Sequence, residues 1–500
     1  LIVLGGIKKL AQQTVWYGAS TIVNRMLGYL LTPLLTSIFA ASDFGVITTL
    51  FSIAAFMNIF YSFGMETAYF RFVSTEKEGK VFNVTFLIIS FSTLIFSVLI
   101  LLFSQTVANF IKLPDHPEYI GWIILIVALD TLAVLPFSRL RYSGRPIKFA
   151  FVKILGVLIQ LLLVVFFFFF CKNAQEGSLL SGIYRPEIGV GYVILANVVA
   201  SGITLLLLSR ELLGFRLGID RNLFKQIIIY SLPLLIVGFG GMVNDLIDRF
   251  VILNIYPGTV HEKYTQSGIY SANYKLAIII ALFIQAFRLG AEPFFFKQST
   301  NKNAPFVYAR VMKFFVITCC CCFLLVVLFL DFWKYFMGKS HPEYWTGLKV
   351  VPILLMAKIF LGIYYNLSVW YKITNRNQTG AWITLGGVAV TLILNFLLVP
   401  FMGYTGCAIA TLVCYATMMI SSYLLGQKHF PVPYDLNRIF SYIVIAIFIF
   451  VLDFFIIQTT DWMPLRLLIS FCFGVLFLFI IIRIEKDEFK QLPYFSRFIR

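Results

Sequence analysis

The sequence predicts an all-α membrane protein of about fourteen transmembrane helices, arranged as two six-helix lobes with two further helices at the C-terminal end. Three observations carry that prediction. The 500 residues are 60% hydrophobic, 17% aromatic and only 13% charged, which leaves too little polar surface to clothe a water-soluble fold. Apolar stretches close to the roughly 20 residues needed to cross a bilayer recur along the whole chain. An internal repeat divides most of it in two.

The stretches lie near 12–38, 44–70, 82–106, 118–138, 150–171, 190–209, 227–254, 266–290, 307–331, 347–372, 380–400, 403–425, 439–458 and 465–483. Their longest connection, around 172–189, is about 18 residues, whereas a folded extramembrane domain needs about 50 or more. The first stretch is long, holds Arg25 at its centre and lacks a small-residue cleavage site, so it reads as a span and not as a cleavable signal.

A net charge of +17 raises the question of a nucleic-acid partner, but the basic residues recur in every second loop instead of forming one patch. Arg139, Arg141, Arg145 and Lys148 fall on one side, as do Arg210, Arg216, Arg221 and Lys225, and again Arg483, Lys486, Lys490, Arg497 and Arg500. The positive-inside rule makes that side cytoplasmic and places both termini there. No nucleic-acid partner is expected.

Cys319 to Cys322 are consecutive within one span, where successive side chains point around the helix and cannot gather on a metal, so they read as small apolar filler. His116, His261, His341 and His429 all fall in expected loops, which argues against a helix-borne histidine proton relay. No metal, cofactor or catalytic group is expected.

The repeat has an offset of about 225 residues. His116-Pro117-Glu118-Tyr119 returns as His341-Pro342-Glu343-Tyr344, and Phe63-Gly64-Met65-Glu66 through Phe70-Arg71 is echoed by Leu289-Gly290-Ala291-Glu292 through Phe296-Lys297. Asn24-Arg25 matches Asp248-Arg249, and Phe44-Gly45 matches Ser267-Gly268. Because the offset covers six spans, an even number, both copies enter the membrane with the same orientation. The expected division is 1–210 for the first lobe, 211–428 for the second, and 429–500 for an accessory helix pair with a cytoplasmic tail. Two such lobes imply a central cavity opened alternately to each side.

A charge at the bilayer centre costs about 2.5–3.5 kcal/mol on insertion scales, so each one demands a partner or a wet cavity. Arg25 and Lys275 have no carboxylate at helical spacing in their own spans and are candidates for a cationic cavity, joined by Arg249 and Lys358. Asp130, Asp245 and Asp248 are candidates for ion coupling or for structural pairing. Asp245 shares a helix face with Arg249, and Asp130 and Lys358 hold nearly equivalent places in the two repeats. Cations facing a cavity suit an anionic cargo such as a diphosphate, which Arg grips in bidentate fashion and Lys as a point charge.

Several short strings, in order, resemble the polysaccharide-transporter branch of the multidrug, oligosaccharidyl-lipid and polysaccharide exporter superfamily. They are Arg25-Met26-Leu27-Gly28 leading to Pro33, Ser42-Asp43-Phe44-Gly45, Gly64 to Arg71, Leu140-Arg141, Tyr230-Ser231-Leu232-Pro233, Asp248-Arg249, Gly268 to Lys275, and Gly403 to Ala408. The resemblance runs over nearly the whole chain. It implies fourteen helices in two lobes, alternating access open to proton or sodium coupling, and residence in a bacterial inner membrane. It also implies a cargo of undecaprenyl-diphosphate-linked oligosaccharide for O-antigen, capsule or exopolysaccharide synthesis, with membrane lipid and glycan-assembly proteins as partners. The related peptidoglycan-precursor flippases use cavity arginines of the first, second and eighth spans. Here Arg25 and Lys275 stand in the first and eighth, but Phe51 to Phe63 of the second holds no cation.

Three other readings compete with this one. A cation-coupled multidrug exporter of the same fold would line its cavity with acids. A membrane glycan polymerase or ligase would need a substantial outer loop carrying catalytic groups. A structural or scaffold membrane protein is a third reading, which the paired-lobe repeat makes less attractive.

Overall fold

The computed structural model describes residue 23 and residues 26–490, apart from 176, 177, 179, 181, 217, 219, 300, 302, 375 and 458–461. Helices occupy the described part of every expected span. The first half comprises α1 (Met26–Ile38), α2 (Ala41–Ser62), α3 (Met65–Phe72), α4 (Glu78–Leu102), α5 (Ser104–Phe110), α6 (Pro117–Tyr142), α7 (Pro146–Val165), α8 (Gly191–Leu207) and α9 (Ser209–Leu212). Then come α10 (Arg221–Ile255), α11 (Val260–Leu276), α12 (Ile278–Gln298), α13 (Ala304–Val327), α14 (Leu330–Trp333), α15 (Val351–Leu367) and α16 (Val369–Ile373). The last are α17 (Asn377–Met402), α18 (Tyr404–His429), α19 (Leu436–Ile457), α20 (Met463–Ile484) and α21 (Lys486–Lys490).

Among the described residues, eleven spans are long and apolar enough to cross a membrane, and the bent pair α11–α12 makes a twelfth. Two shorter apolar helices, α1 and α8, stand where the first and sixth spans are expected. Large apolar side chains point outward in most of them, Leu102, Trp382 and Phe401 among the most exposed. A helix can satisfy its own backbone in hydrocarbon, so these surfaces are compatible with lipid where water would be costly.

The helix starts follow local chemistry. Pro117, Pro146 and Pro464 occupy first-turn positions, where the missing N–H is no loss. Asp220 caps α10 by accepting from the Leu223 N–H at 2.9 Å. That N–H, and then the Lys80 ammonium at 2.9 Å, hold the Asp220 carboxyl below the usual carboxylate range. Both His-Pro-Glu-Tyr strings open helical turns, at α6 and at the 3-10 segment Pro342–Val350. Two histidines expected in loops lie instead in helix ends, His261 in the first turn of α11 and His429 as the last residue of α18. Polar end turns extend these helices past the apolar stretch from which they were read. The eighth span, expected as one helix, is broken at Ala277 with a bend of 47°.

Packing groups the chain into two compact units: Leu1–Ser271 with Leu392–Cys407, and Ala272–Thr391 with Ala408–Arg500. In the first, α6 is central, lying against α2, α4 and α8, and α10 packs on α2, α3 and α4. In the second, α13 is central, lying against α12, α15, α19 and α20, so the C-terminal helix pair is part of this unit.

Within the first unit, α2 and α11 touch backbone to backbone. A Cβ on Gly45 would stand 2.1 Å from the Tyr264 carbonyl oxygen, and one on Gly268 would stand 1.8 Å from that of Ala41. The repeat pairing that carries Gly45 onto Gly268 also carries Ala41 onto Tyr264. The two contacts are therefore reciprocal, as in an isologous two-fold interface.

Ion pairs lace one end of the first unit. Glu211, on α9, is nearly buried and receives Lys148 Nζ at 2.9 and 3.0 Å, while Arg139 donates to its backbone oxygen at 2.7 Å and pairs with Glu78 at 3.1 Å. Arg141 pairs with Glu66. These bonds tie α3, α4, α6, α7 and α9 together.

Candidate functional site

A cavity of about 640 Å³ lies inside the first unit, walled by α2, α3, α6, α8 and α10. The middle and far half of α2 contribute Phe51, Ala54, Asn58 and Ser62 to its wall, and α10 contributes Leu234, Gly238 and Met242. Small residues make the room. Ala54, Ala55, Gly64 and Gly238 stand where larger side chains would fill the space. Its polar groups are Asn58, Ser62, Thr67, Asn197 and Asp130, and Asp130 is the charged residue among the described lining.

Asp130 sits on α6, exposed to the cavity, with Ser201 of α8 and Lys153 of α7 close enough to act on its charge. Ser201 in turn donates to Asn197 at 3.4 Å. The Lys153 ammonium lies 4.3 Å over the Phe137 ring, a cation–π contact that offsets part of its desolvation. Lys153 is not among the candidates read from the sequence. The signal that finds Arg25, a cation inside an apolar stretch, applies to it equally.

Asp248 and Arg249 are buried in the first unit. Asp248 accepts from the Tyr270 hydroxyl at 2.6 Å and from Asn395 Nδ2 at 3.0 Å, drawing α10, α11 and α17 to one point. Arg249 donates to the Asp245 backbone oxygen at 2.8 Å and lies 5.2 Å over the Tyr270 ring. The structure thus brings Asp245, Asp248 and Arg249 together, with Tyr270 and Asn395 as partners that no spacing rule reveals.

Lys358 and Lys275 belong to the second unit. Lys358 is buried, with its ammonium 4.8 Å from the Tyr274 ring and 5.3 Å from the Tyr415 ring. Lys275 is half-buried in the last turn of α11, just before the break at Ala277. Arg25 lies outside the described residues. Asp130 and Lys358, equivalent in the repeat, fall in different units.

A second charged cluster, absent from the candidates, joins the C-terminal helices to α13. Lys313 Nζ lies 2.6 Å from Glu485 and 3.3 Å from Glu488, Arg310 lies 2.6 Å from Glu488, and Arg438 lies 3.2 Å from Glu485. Tyr442 also donates to Glu485. Burial pushes the Glu485 carboxyl up, but hydrogen bonds from Lys313 and Tyr442 and the charges of Lys313 and Arg438 outweigh it, leaving the group below its ordinary range. No group of three or more metal-ligating side chains occurs among the described residues.

The eleven or twelve apolar spans among the described residues define a polytopic membrane protein, and its first unit encloses a cavity. The fold is that of the multidrug, oligosaccharidyl-lipid and polysaccharide exporter superfamily. It is similar to an inward closed conformation of the lipid II flippase MurJ, at 13% identity and a TM-score of 0.69 over 94% of this chain and 99% of that one. It is also similar to a multidrug resistance MATE family transporter in an inward-facing conformation, at 12% identity and 0.62 over 83% of this chain and 94% of that one. An uncharacterized membrane protein of Methanocaldococcus jannaschii is 23% identical over 445 residues, covering 83% of this chain and 97% of the relative. The chain belongs to the polysaccharide biosynthesis protein family, whose model matches residues 10–297.

Proposed function

We propose that this protein is a flippase that moves undecaprenyl-diphosphate-linked oligosaccharide across the bacterial cytoplasmic membrane by alternating access. The observation that carries the reading is a cavity among apolar spans, with Asp130, Asn58 and Asn197 in its mostly apolar wall, in a chain of the polysaccharide biosynthesis family. Both termini are cytoplasmic in this reading, so the Ala41 end of α2 is the outer end. Arg25 and Lys275 engage the diphosphate. Arg249 and Lys358, each buried against tyrosine, hold their helices in register for them. The chain performs no covalent chemistry and works with the glycan-assembly enzymes that load and consume its cargo.

Asp130 favours a role for a coupling cation. A carboxylate that shares a cavity wall with the neutral Asn58, Ser62, Thr67 and Asn197 suits a proton or a monovalent cation better than it suits a diphosphate. It couples glycolipid movement to an ion gradient. The same acid also suits an exporter of cationic drugs, which is the reading to be separated.

A deletion strain separates them. The flippase reading predicts that lipid-linked oligosaccharide accumulates with its glycan facing inward, while resistance to lipophilic cations is unchanged. No accumulation, together with lost cation resistance, would overturn it in favour of the exporter.

A further inference from the structure

Building on the transport reading, we propose that Gly45 of α2 and Gly268 of α11 form the outer seal of the cavity, a seam that parts when the protein opens outward. Both glycines are helical, so they are needed for close approach and not for a turn. At each one a Cβ would overlap the facing backbone oxygen, far inside van der Waals contact, so no other residue fits the closed seam. The reciprocity of the contact matters as well. Two equivalent helices meeting on a two-fold axis separate symmetrically, and what is lost is backbone contact and weak Cα–H···O interactions, not interlocked side chains.

The seam borders a buried apolar cluster. Val46, Leu50, Ile53, Ile123, Phe250, Leu253 and Tyr264 form one buried cluster, and the Tyr264 hydroxyl donates to the Ile111 carbonyl at 2.5 Å. Val46 and Leu50 of this cluster precede the first lining residue of α2, Phe51, and Ile120 and Ile123 precede that of α6, Ile126, while its deeper members run alongside the cavity wall. The seam thus closes on the outer turns of α2, the helix whose following turns line the cavity.

The test uses the full-length protein in cells, with Ala54→Cys in the cavity wall as reporter. A membrane-impermeant thiol reagent is added outside, and labelling at position 54 is read by mass spectrometry so that native cysteines do not interfere. Gly45→Ala or Gly268→Ala raises outside labelling by about tenfold, as expected when a closed state loses a close contact. Gly241→Ala, at a helical glycine with open space around it, leaves labelling unchanged. Unchanged or reduced labelling in the folded seam variants would show a fixed pivot and overturn the proposal.

If the alanine variants do not insert, the native seam is tested with Ser267→Cys beside it. Both position 267 and Ala108, which is on α5 and so on neither seam helix, are fully buried. A seam that parts labels position 267 faster than Ala108→Cys, and equal rates overturn the proposal. Labelling does not depend on cargo, so failure here leaves the glycolipid result of the deletion strain standing, and the converse also holds.

Discussion

Single residues decide how charge is tolerated in this chain. Glu485 is fully buried and compensates Lys313, itself nearly buried, so Glu485→Gln leaves Lys313 with Glu488 alone. Breaking a buried pair costs up to about 3–5 kcal/mol, and the remaining partner keeps the loss near the lower end. Because the folded Glu485 group lies below its ordinary value of 4.5, its stabilisation is complete above that pH and is lost as pH falls through the depressed folded value. Melting of the detergent-solubilised protein, followed by size-exclusion chromatography, should show Glu485→Gln less stable at pH 7 and the gap closing below about pH 4. An unchanged gap at low pH would mean that the variant acts through packing. Asp130 is decisive for transport in the same way. Asp130→Asn should fold normally yet lose the acceleration that an imposed ion gradient gives, a drop of about tenfold or more in driven flux with undriven flux retained. Equal stimulation in both proteins would remove Asp130 from coupling.

At the level of helices, Asp248 latches α11 and α17 to α10 through two short hydrogen bonds. Hydrogen bonds to a charged group contribute about 1.5–3 kcal/mol each, so Tyr270→Phe and Asn395→Ala should each lower the melting temperature. The double variant should lose less than the sum, because both bonds share one carboxylate. A strictly additive loss would mean the two bonds are independent. Which helices exist is readable from apolar stretches alone, and the first-turn prolines at 117 and 342 are readable from the repeat. The break at Ala277 is not, because apolar residues flank it on both sides and hydropathy carries no signal for a bend. The helix starts at Arg221 and Val260 lie outward of the expected boundaries, since polar first turns continue a helix without adding hydropathy.

For the whole molecule, the internal repeat is the sequence feature with the greatest structural reach. It pairs Gly45 with Gly268, and those two residues meet. What a single chain hides is contact between distant segments: Tyr270 and Asn395 carry no mark that ties them to Asp248, and Asn58 and Asn197 read as ordinary polar residues until the cavity forms around them. The expectation of a cationic vestibule rests on charge sign within spans, and its first member, Arg25, lies outside the described residues. The cavity of the first unit presents an acid, Asp130, with Lys153 nearby on α7. The cargo reading therefore depends on family and cavity together, and the most direct measurement is reconstitution. The purified protein, placed in vesicles carrying a lipid-diphosphate-linked oligosaccharide in both leaflets, should bring nearly all of the glycan within reach of a glycosidase added outside, against about half in empty vesicles. A reachable fraction that stays at the empty-vesicle level, with folded protein present in the membrane, would contradict the account.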